Sequence, residues 1–212
     1  NYTLEQCGRL DICVNGAAGN FLSEAKSLKP KGFKTVMEID AIGTFNICHA
    51  AFEPLRRTRG CIINISATLQ YGATWWQAHA STAKSAVDSL TRSLALEWGH
   101  YGIRVNGIAP GPIAETPGTT KLAPGMTGED VEAMVSEAIP IGRMGQGFDI
   151  GMAVIYLSND VSGGFVTGNI LVVDGGQWLY KEPMVPREMV SEISRKVEKQ
   201  SREMRPTTLS KL

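Results

Sequence analysis

The sequence lacks any apolar stretch that approaches the roughly 20 residues a membrane-spanning helix requires. It also lacks net charge, because 21 basic side chains balance 21 acidic ones, so neither nucleic acid nor an anionic membrane is an expected partner. Only 4 cysteines occur among the 212 residues, and their spacing matches neither a metal site nor a disulfide scaffold. We therefore expect a soluble protein of a reducing compartment, without a metal, whose 43% hydrophobic content supports a sizeable core.

Apolar, β-branched runs alternate with segments of helical period along the chain. Strands are predicted at 10–14, 61–65, 103–109 and 170–173, and helices at about 31–52, 79–100, 129–139 and 149–157. This alternation is typical of parallel strands joined by crossover helices, so the expected fold class is α/β. Residues 1–185 are expected to form one domain, and the charged segment 186–212 a partly helical tail.

Each predicted strand is followed by small or chemically versatile residues. In open parallel sheets, ligands bind beyond the carboxyl ends of the strands. Residues 15–21 follow the first strand and would let a flat ring or a phosphate approach the backbone, although an ordinary strand-to-helix turn has the same composition. Ser66 follows the second strand, the stiff loop Pro110–Ile113 the third, and Asp174–Gly176 the fourth. These strand ends are the candidate binding site.

Together with Lys84, which lies on a helix eighteen residues after Ser66, these blocks resemble the short-chain dehydrogenase/reductase family in order and spacing over about residues 8–178. The resemblance implies a Rossmann-type parallel sheet and a nicotinamide dinucleotide cofactor. It also implies which residues bind that cofactor: Asn15, Gly16, Ala17, Lys84, Pro110, Gly111, Pro112, Ile113 and Thr116.

The first strands of that family, and its glycine-rich phosphate-binding loop, have no counterpart in the sequence. The resemblance aligns the start of the chain with the segment just before the family's fourth strand. We therefore expect the C-terminal portion of a Rossmann sheet, belonging to a fragment of a longer enzyme. The strand at 10–14 would then be an open edge with unpaired backbone groups.

Two catalytic side chains of the family are replaced. Ala80 stands four residues before Lys84, where the family has a proton-donating tyrosine, and Ala67 stands at the usual serine position. An alanine methyl group cannot protonate an alkoxide, so alcohol/ketone interconversion would lack its acid. Most lysines on helices are merely solvated. Because the other blocks of the family accompany it, Lys84 is instead expected to hold a cofactor that delivers hydride to an acceptor other than a ketone. A 2,4-dienoyl thioester fits, because hydride addition at its far carbon gives a dienolate that needs a proton on carbon.

An acid, Asp40, occupies the place of the family's usual helix asparagine. Acids in apolar helical stretches are rarely buried unless they are paired or functional, so Asp40 is expected to be catalytic. The alternative is that Asp40 is an ordinary carboxylate on the helix surface. The blocks together resemble the branch of the family that reduces 2,4-dienoyl-CoA with NADPH to trans-3-enoyl-CoA, which implies that Asp40 positions a proton-donating water. Asp40, Lys84 and Ser66 are therefore the predicted catalytic residues, and for Ser66 the alternative is a bond to nearby backbone.

The same resemblance predicts an acyl-CoA site lined by Phe21, Lys29, Pro30, Lys31 and Lys121. Lysines suit an anionic CoA phosphate, although plain surface lysines are equally consistent with the sequence. The expected partners are a fatty acyl-CoA substrate and further copies of the chain, since tetramers are common in the family.

The residues Ser210, Lys211 and Leu212 match the peroxisomal import tripeptide, which a receptor reads at a free carboxylate. We therefore expect the import receptor as a partner and the peroxisome as the location, where breakdown of unsaturated fatty acids generates dienoyl-CoA. Two alternatives stay open. One is a peroxisomal 2-enoyl-CoA reductase, and the other is a catalytically incomplete, truncated isoform that acts only through oligomer contacts.

Overall fold

The structure, a computed structural model, describes residues 2–116 and 125–204. Its contacts divide the chain into two compact units, one ending at Tyr180 and one beginning at Lys181. The first unit contains a parallel sheet with the strand order β1-β2-β3-β4. The strands are β1 (Ile12–Asn15), β2 (Cys61–Ile65), β3 (Arg104–Pro110) and β4 (Ile170–Val173). The predicted α/β class with a parallel sheet is confirmed.

In the first unit, helices connect and flank these strands. They are α1 (Tyr2–Cys7), α2 (Pro30–Met37), α3 (Gly43–Thr58), α4 (Leu69–Gly72), α5 (Ala78–Trp98), α6 (Gly128–Ser136) and α7 (Gly147–Ser158). The second unit contains α8 (Val190–Glu203). None of them, within the part of the chain that the structure describes, is long and apolar enough to cross a bilayer.

The sheet has a hydrophobic core on each face. Successive residues of β2 point to opposite sides, as the period of a strand requires. Ile62 therefore packs among residues of α3 and α5, including Leu55 and Leu94, while Ile63 packs against Leu157 of α7. Both faces are covered by helices, which explains why β2 is apolar from Cys61 to Ile63.

Strand β1 forms one edge of the described sheet. It pairs with β2 from Ile12 opposite Cys61 to Asn15 opposite Asn64, and Ile12 and Val14 are 45% and 49% exposed. This agrees with the expected open edge at 10–14, except that the strand begins at Ile12. The carbonyl of Leu10 lies outside the ladder and accepts a hydrogen bond of 2.7 Å from the Thr58 hydroxyl.

The single helix predicted at 31–52 is instead three elements. Between α2 and α3 lies a π-helical turn, Glu38–Ile42, and α3 continues to Thr58. A π-helical turn inserts an extra residue into the helix and is frequent at functional sites. The turn contains the predicted catalytic acid Asp40, which is 1% exposed.

The second unit consists mainly of α8, which has no buried residue among those described. Exposed ion pairs one turn apart, such as Lys196 with Glu192 at 2.7 Å and Arg202 with Glu198 at 2.5 Å, support this helix. Such pairs contribute about 0.3–0.5 kcal/mol each.

The start of α7 leads to a prediction about acid stability. Arg143 contacts both carboxylate oxygens of Asp149 at 2.8 and 3.0 Å, and the Gln146 N–H donates to the same group at 2.8 Å. The Arg143 hydrogen bond, followed by that of Gln146, lowers the pKa of Asp149 from 3.8 to about 2. Because the pKa of Asp149 is lower in the folded state than in the unfolded state, its ionised carboxylate stabilises the fold above pH 3.8. This stabilisation is lost as the pH falls toward 2 and the carboxylate is protonated.

We therefore expect the wild type to have a larger free energy of unfolding than Asp149→Asn near neutral pH. The difference between the two proteins should decrease as the pH falls below about 4. Urea unfolding of both proteins across this pH range measures the difference, and a difference that does not change with pH would show that the charge of the carboxylate does not stabilise the fold.

Candidate active site

The carboxyl ends of β1 and β2 are joined by buried side-chain amides. Asn15 Nδ2 donates to Asn64 Oδ1 at 2.8 Å, and Asn64 Nδ2 donates to the Thr91 hydroxyl at 2.9 Å. The Asn15 side chain thus holds the two strand ends together and faces the interior. Directly after it, Gly16 and Ala17 are exposed, so their backbone is open to a ligand at the strand end.

The carboxylate of Asp40 is buried and accepts a hydrogen bond from the backbone. The Gly19 N–H donates to Asp40 Oδ1 at 2.6 Å, and the Thr44 hydroxyl donates to the Asp40 carbonyl at 2.6 Å. The first contact connects the π-helical turn to the loop after β1, and the second lies between the turn and α3. A carboxylate on the helix surface, the alternative for this residue, is excluded by its 1% exposure.

The ammonium group of Lys84 meets that carboxylate. Lys84 Nζ lies 3.2 Å from Asp40 Oδ2 and donates to the Ile65 carbonyl at 3.0 Å, with side-chain exposures of 9% for Lys84 and 1% for Asp40. The Lys84–Asp40 contact is an ion pair without good hydrogen-bond geometry, since Asp40 Oδ2 has no hydrogen-bond partner among the described residues. A merely solvated Lys84 is thereby excluded. Of its three N–H groups, the one directed at the Ile65 carbonyl has a hydrogen-bond acceptor among the described residues.

Ala80 lies one turn before Lys84 on α5 and is 2% exposed. Its neighbour His79 is fully buried and stacks on the ring of Phe21, with ring centroids 4.2 Å apart. The site therefore combines a buried ammonium, a buried carboxylate and an imidazole, with a methyl group where the resemblance leads one to expect a phenol.

Ser66 belongs to a second buried cluster. Its hydroxyl donates to Asp88 Oδ1 at 2.5 Å, and Gln70 Nε2 donates to Asp88 Oδ2 at 2.7 Å and to Ser66 Oγ at 3.2 Å. The single proton of the serine is committed to Asp88 and not to nearby backbone. This geometry favours a role in holding the end of β2 against α5, while a direct role in catalysis stays a prediction.

The loop after β3 is attached at its base. The Gly111 N–H donates to the Val173 carbonyl at 3.1 Å, and the Gly145 N–H donates to the Pro112 carbonyl at 3.0 Å. A Cβ on Gly111 would lie 2.7 Å from the Cβ of Asp174, so only glycine fits here. The predicted cofactor loop, Pro110–Ile113, therefore has one defined path, and the Thr116 hydroxyl donates back to the Ile113 carbonyl at 3.0 Å.

The predicted acyl-CoA residues lie beside this site. Phe21 packs against the first turn of α2, where a Cβ on Gly32 would lie 3.1 Å from its ring. Lys29 is the N-cap of α2, Pro30 its first residue, and Lys29 to Lys31 are exposed. The structure thus brings Phe21 and the two lysines to one end of α2.

Four predicted residues lie outside the described part of the chain: Lys121, Ser210, Lys211 and Leu212. Within residues 2–116 and 125–204, no three His, Cys, Asp or Glu side chains are grouped so that they could hold a metal ion.

Sequence reasoning missed three polar residues of the site: His79, Gln70 and Asp88. Their contacts depend on tertiary packing, which sequence spacing does not reveal. The position of His79, directly before the substituted Ala80, was the available signal.

Comparison with known proteins is consistent with this geometry. A family profile described as enoyl-(acyl carrier protein) reductase matches residues 1–177. A peroxisomal 2,4-dienoyl-CoA reductase of Arabidopsis thaliana is 54% identical over 94% of this chain and 69% of its own length. A peroxisomal 2,4-dienoyl-CoA reductase of Danio rerio is 48% identical over 84% of this chain and 58% of its own length. The chain thus spans somewhat more than half of these relatives.

A crystal structure of a short-chain dehydrogenase from Bacillus anthracis superimposes with a TM-score of 0.73 at 34% identity, covering 86% of this chain and 70% of the other. The parallel sheet, the lysine on α5 and the glycine-containing loop after β3 thus occur in a chain whose sequence and fold both match known dehydrogenases. The chain belongs to the short-chain dehydrogenase/reductase family.

Proposed function

We propose that the protein is an NADPH-dependent 2,4-dienoyl-CoA reductase that forms trans-3-enoyl-CoA during oxidation of unsaturated fatty acids. The observation that carries this proposal is the buried Lys84–Asp40 pair beside Ala80. A site with an ammonium and a carboxylate, but with no phenol at position 80, suits reduction of a conjugated carbon chain better than reduction of a ketone. The names of the plant and fish relatives support the same reaction.

The residues at the strand ends fit a nicotinamide dinucleotide. Gly16 and Ala17 present exposed backbone, the loop Pro110–Ile113 has a fixed path toward Thr116, and Lys84 has an N–H left for a ribose hydroxyl. When bound, the cofactor supplies the hydride. The preference for NADPH over NADH is part of the proposal and rests on the resemblance.

The chain's own residues then handle the charge that develops on the substrate. After hydride reaches the far carbon of the dienoyl group, negative charge moves to the thioester oxygen and the α-carbon needs a proton. Asp40 is proposed to orient the water that gives this proton, and the nearby ammonium of Lys84 compensates the charge of the carboxylate. Phe21 is proposed to contact the acyl chain, while Lys29 and Lys31 are free to meet CoA phosphates.

A second candidate is a 2-enoyl-CoA reductase. The observation that favours this candidate is the family profile that matches the chain, which is described as an enoyl-(acyl carrier protein) reductase and thus as a reductase of an enoyl thioester. Such an enzyme needs the same hydride and the same thioester but a shorter conjugated system. The substrates therefore distinguish the two candidates.

The test is NADPH oxidation by the protein as the cell makes it, with 2,4-hexadienoyl-CoA and 2-hexenoyl-CoA offered separately. We expect turnover of the dienoyl thioester and a 3-enoyl product by mass spectrometry and NMR. If the protein turns over 2-hexenoyl-CoA but not 2,4-hexadienoyl-CoA, it is a 2-enoyl-CoA reductase and the proposed function is wrong. If it turns over neither substrate, both candidate functions are wrong.

We also propose that the protein acts in peroxisomes, a location supported by the names of its relatives. The import tripeptide at 210–212, the import receptor and the homo-oligomer stay predictions.

A further inference from the structure

The loop after β1 is attached to the start of α5 at two points. Asn20 Nδ2 donates to Gln77 Oε1 at 2.5 Å, and the Ser23 N–H donates to the Trp76 carbonyl at 2.9 Å. Gln77 is buried and is the N-cap of α5, but its side chain makes no capping hydrogen bond to the helix and binds the loop instead. The two residues that lie between the attachments are therefore held against the helix start.

The backbone at the second attachment is strained. Trp76 has a φ of 59°, in the left-handed region that bulky residues rarely adopt. Strain of this kind persists only where the surrounding structure imposes it, and it is concentrated at active sites and ligand contacts. The cost of holding this loop is thus typical of a functional segment.

Phe21 lies between the two attachments, and its ring is packed in place. It stacks on the His79 ring with centroids 4.2 Å apart, and a Cβ on Gly32 would lie 3.1 Å from it. Nevertheless Phe21, the adjacent Leu22 and Trp76 all remain exposed. A segment that is held in place therefore presents three large apolar side chains to solvent.

This apolar surface adjoins the candidate active site. The ring that supports Phe21 belongs to the residue directly before Ala80. At the other end of the loop, the Gly19 N–H donates to Asp40 at 2.6 Å. The surface therefore begins beside the groups that would meet the reacting end of a thioester substrate.

The alkyl chain of that substrate is the occupant that the surface fits. Methylene groups gain free energy when they leave water for an apolar surface. Three partly exposed side chains offer roughly a few hundred Å², whereas a specific contact between two proteins buries about 800 Å² on each partner. The area is thus sufficient for an alkyl chain and small for a contact between copies of the chain.

We propose that Gln77 is a positioning residue that, by holding Asn20, fixes Phe21 as a support for the alkyl chain and gives the protein a preference for long-chain 2,4-dienoyl-CoA. The inference rests on the proposed function. It adds to it the class of acyl chain and the residue that sets the preference.

The hydrogen bond between Asn20 and Gln77 is expected to act on binding and not on the reaction. Each buried methylene group raises affinity by up to about fourfold, and 2,4-decadienoyl-CoA carries four more methylenes than 2,4-hexadienoyl-CoA. Loss of the hydrogen bond removes the support for those methylenes. The bond from Gly19 to Asp40 does not involve Gln77, so the acid keeps its own contact.

The experiment compares wild type, Gln77→Leu, Gln77→Glu, Asn20→Ala and the control Thr82→Ala with both dienoyl thioesters and NADPH. Thr82 is exposed on α5, and its hydroxyl donates to the Ala78 carbonyl of the same helix. We expect wild type and the control to prefer 2,4-decadienoyl-CoA by about tenfold or more in kcat/KM.

Gln77→Leu and Asn20→Ala should each raise KM for 2,4-decadienoyl-CoA by about tenfold with little change in kcat, and raise KM for 2,4-hexadienoyl-CoA by less than about threefold. Gln77→Glu keeps an acceptor oxygen for Asn20, so it should restore most of the preference. KM values that stay unchanged in both variants, or that rise equally for the two substrates, would overturn the inference.

A binding measurement separates this inference from the proposed function. Isothermal titration calorimetry with the saturated thioesters hexanoyl-CoA and decanoyl-CoA needs no turnover, and wild type should bind decanoyl-CoA about tenfold more tightly. Equal affinities in wild type would overturn the inference even if neither variant folds. If wild type is inert toward dienoyl thioesters but its preference for decanoyl-CoA is lost in Gln77→Leu or Asn20→Ala, only the proposed function is wrong.

Discussion

Replacing Asp40 with asparagine is expected to lower kcat for 2,4-hexadienoyl-CoA by about 10²–10⁴-fold, the usual contribution of a group that manages proton transfer. The amide is nearly isosteric, so it retains the hydrogen bond from Gly19. It loses the negative charge that pairs with Lys84 and that is proposed to orient the water donor. Steady-state kinetics with NADPH measure the effect, and KM should change little.

The matched control is Glu38→Gln, in the same π-helical turn. Glu38 is exposed and pairs with Lys34 at 3.5 Å on the surface, so its replacement removes a carboxylate without touching the site. Equal kcat values for wild type and Asp40→Asn would contradict the role assigned to the acid. A similar loss in the control would show that the turn, and not the buried carboxylate, is responsible.

Replacing Lys84 with methionine is expected to lower the free energy of unfolding by about 3–5 kcal/mol, because it leaves the charge of Asp40 buried without a partner. The pair has side-chain exposures of 9% and 1%, so solvent cannot compensate. The double variant Lys84→Met/Asp40→Asn should recover much of this loss, since it removes both charges. Urea unfolding of the two single variants and the double variant measures the coupling energy.

Lys34→Met is the control for that cycle. Lys34 and Glu38 form an ion pair one turn apart with exposures of 75% and 50%, for which a contribution of about 0–1 kcal/mol is expected. If Lys84→Met costs no more than Lys34→Met, the ion pair is not the buried interaction that the account requires.

The strands were the most predictable part of the fold. β2 and β4 have the predicted bounds, because helices cover both faces of the sheet and strands there are mostly apolar, as Cys61–Ile63 and Ile170–Val173 are. The π-helical turn was not predictable, since Glu38–Ile42 continues the apolar period of the flanking helices. Its extra residue is visible only in the backbone hydrogen bonds.

Prediction of the site depended on the type of interaction. Lys84 and Asp40 were identifiable because the motif carries them, although their ion pair joins residues 44 positions apart. The commitment of the Ser66 proton to Asp88 was not identifiable, because a hydroxyl after a strand has many nearby acceptors and only packing selects one. The burial of His79 likewise depends on Phe21, which comes from a distant loop.

The central claim is that a nicotinamide site with a buried ammonium–carboxylate pair, and an alanine at position 80, reduces conjugated carbon and not a ketone. The most direct measurement compares kcat/KM of the protein as the cell makes it, with NADPH, for 2,4-hexadienoyl-CoA and for 3-ketohexanoyl-CoA. We predict that the dienoyl thioester is preferred by about 10²-fold or more, the contribution of the missing general acid. Comparable turnover of the ketone would contradict the account.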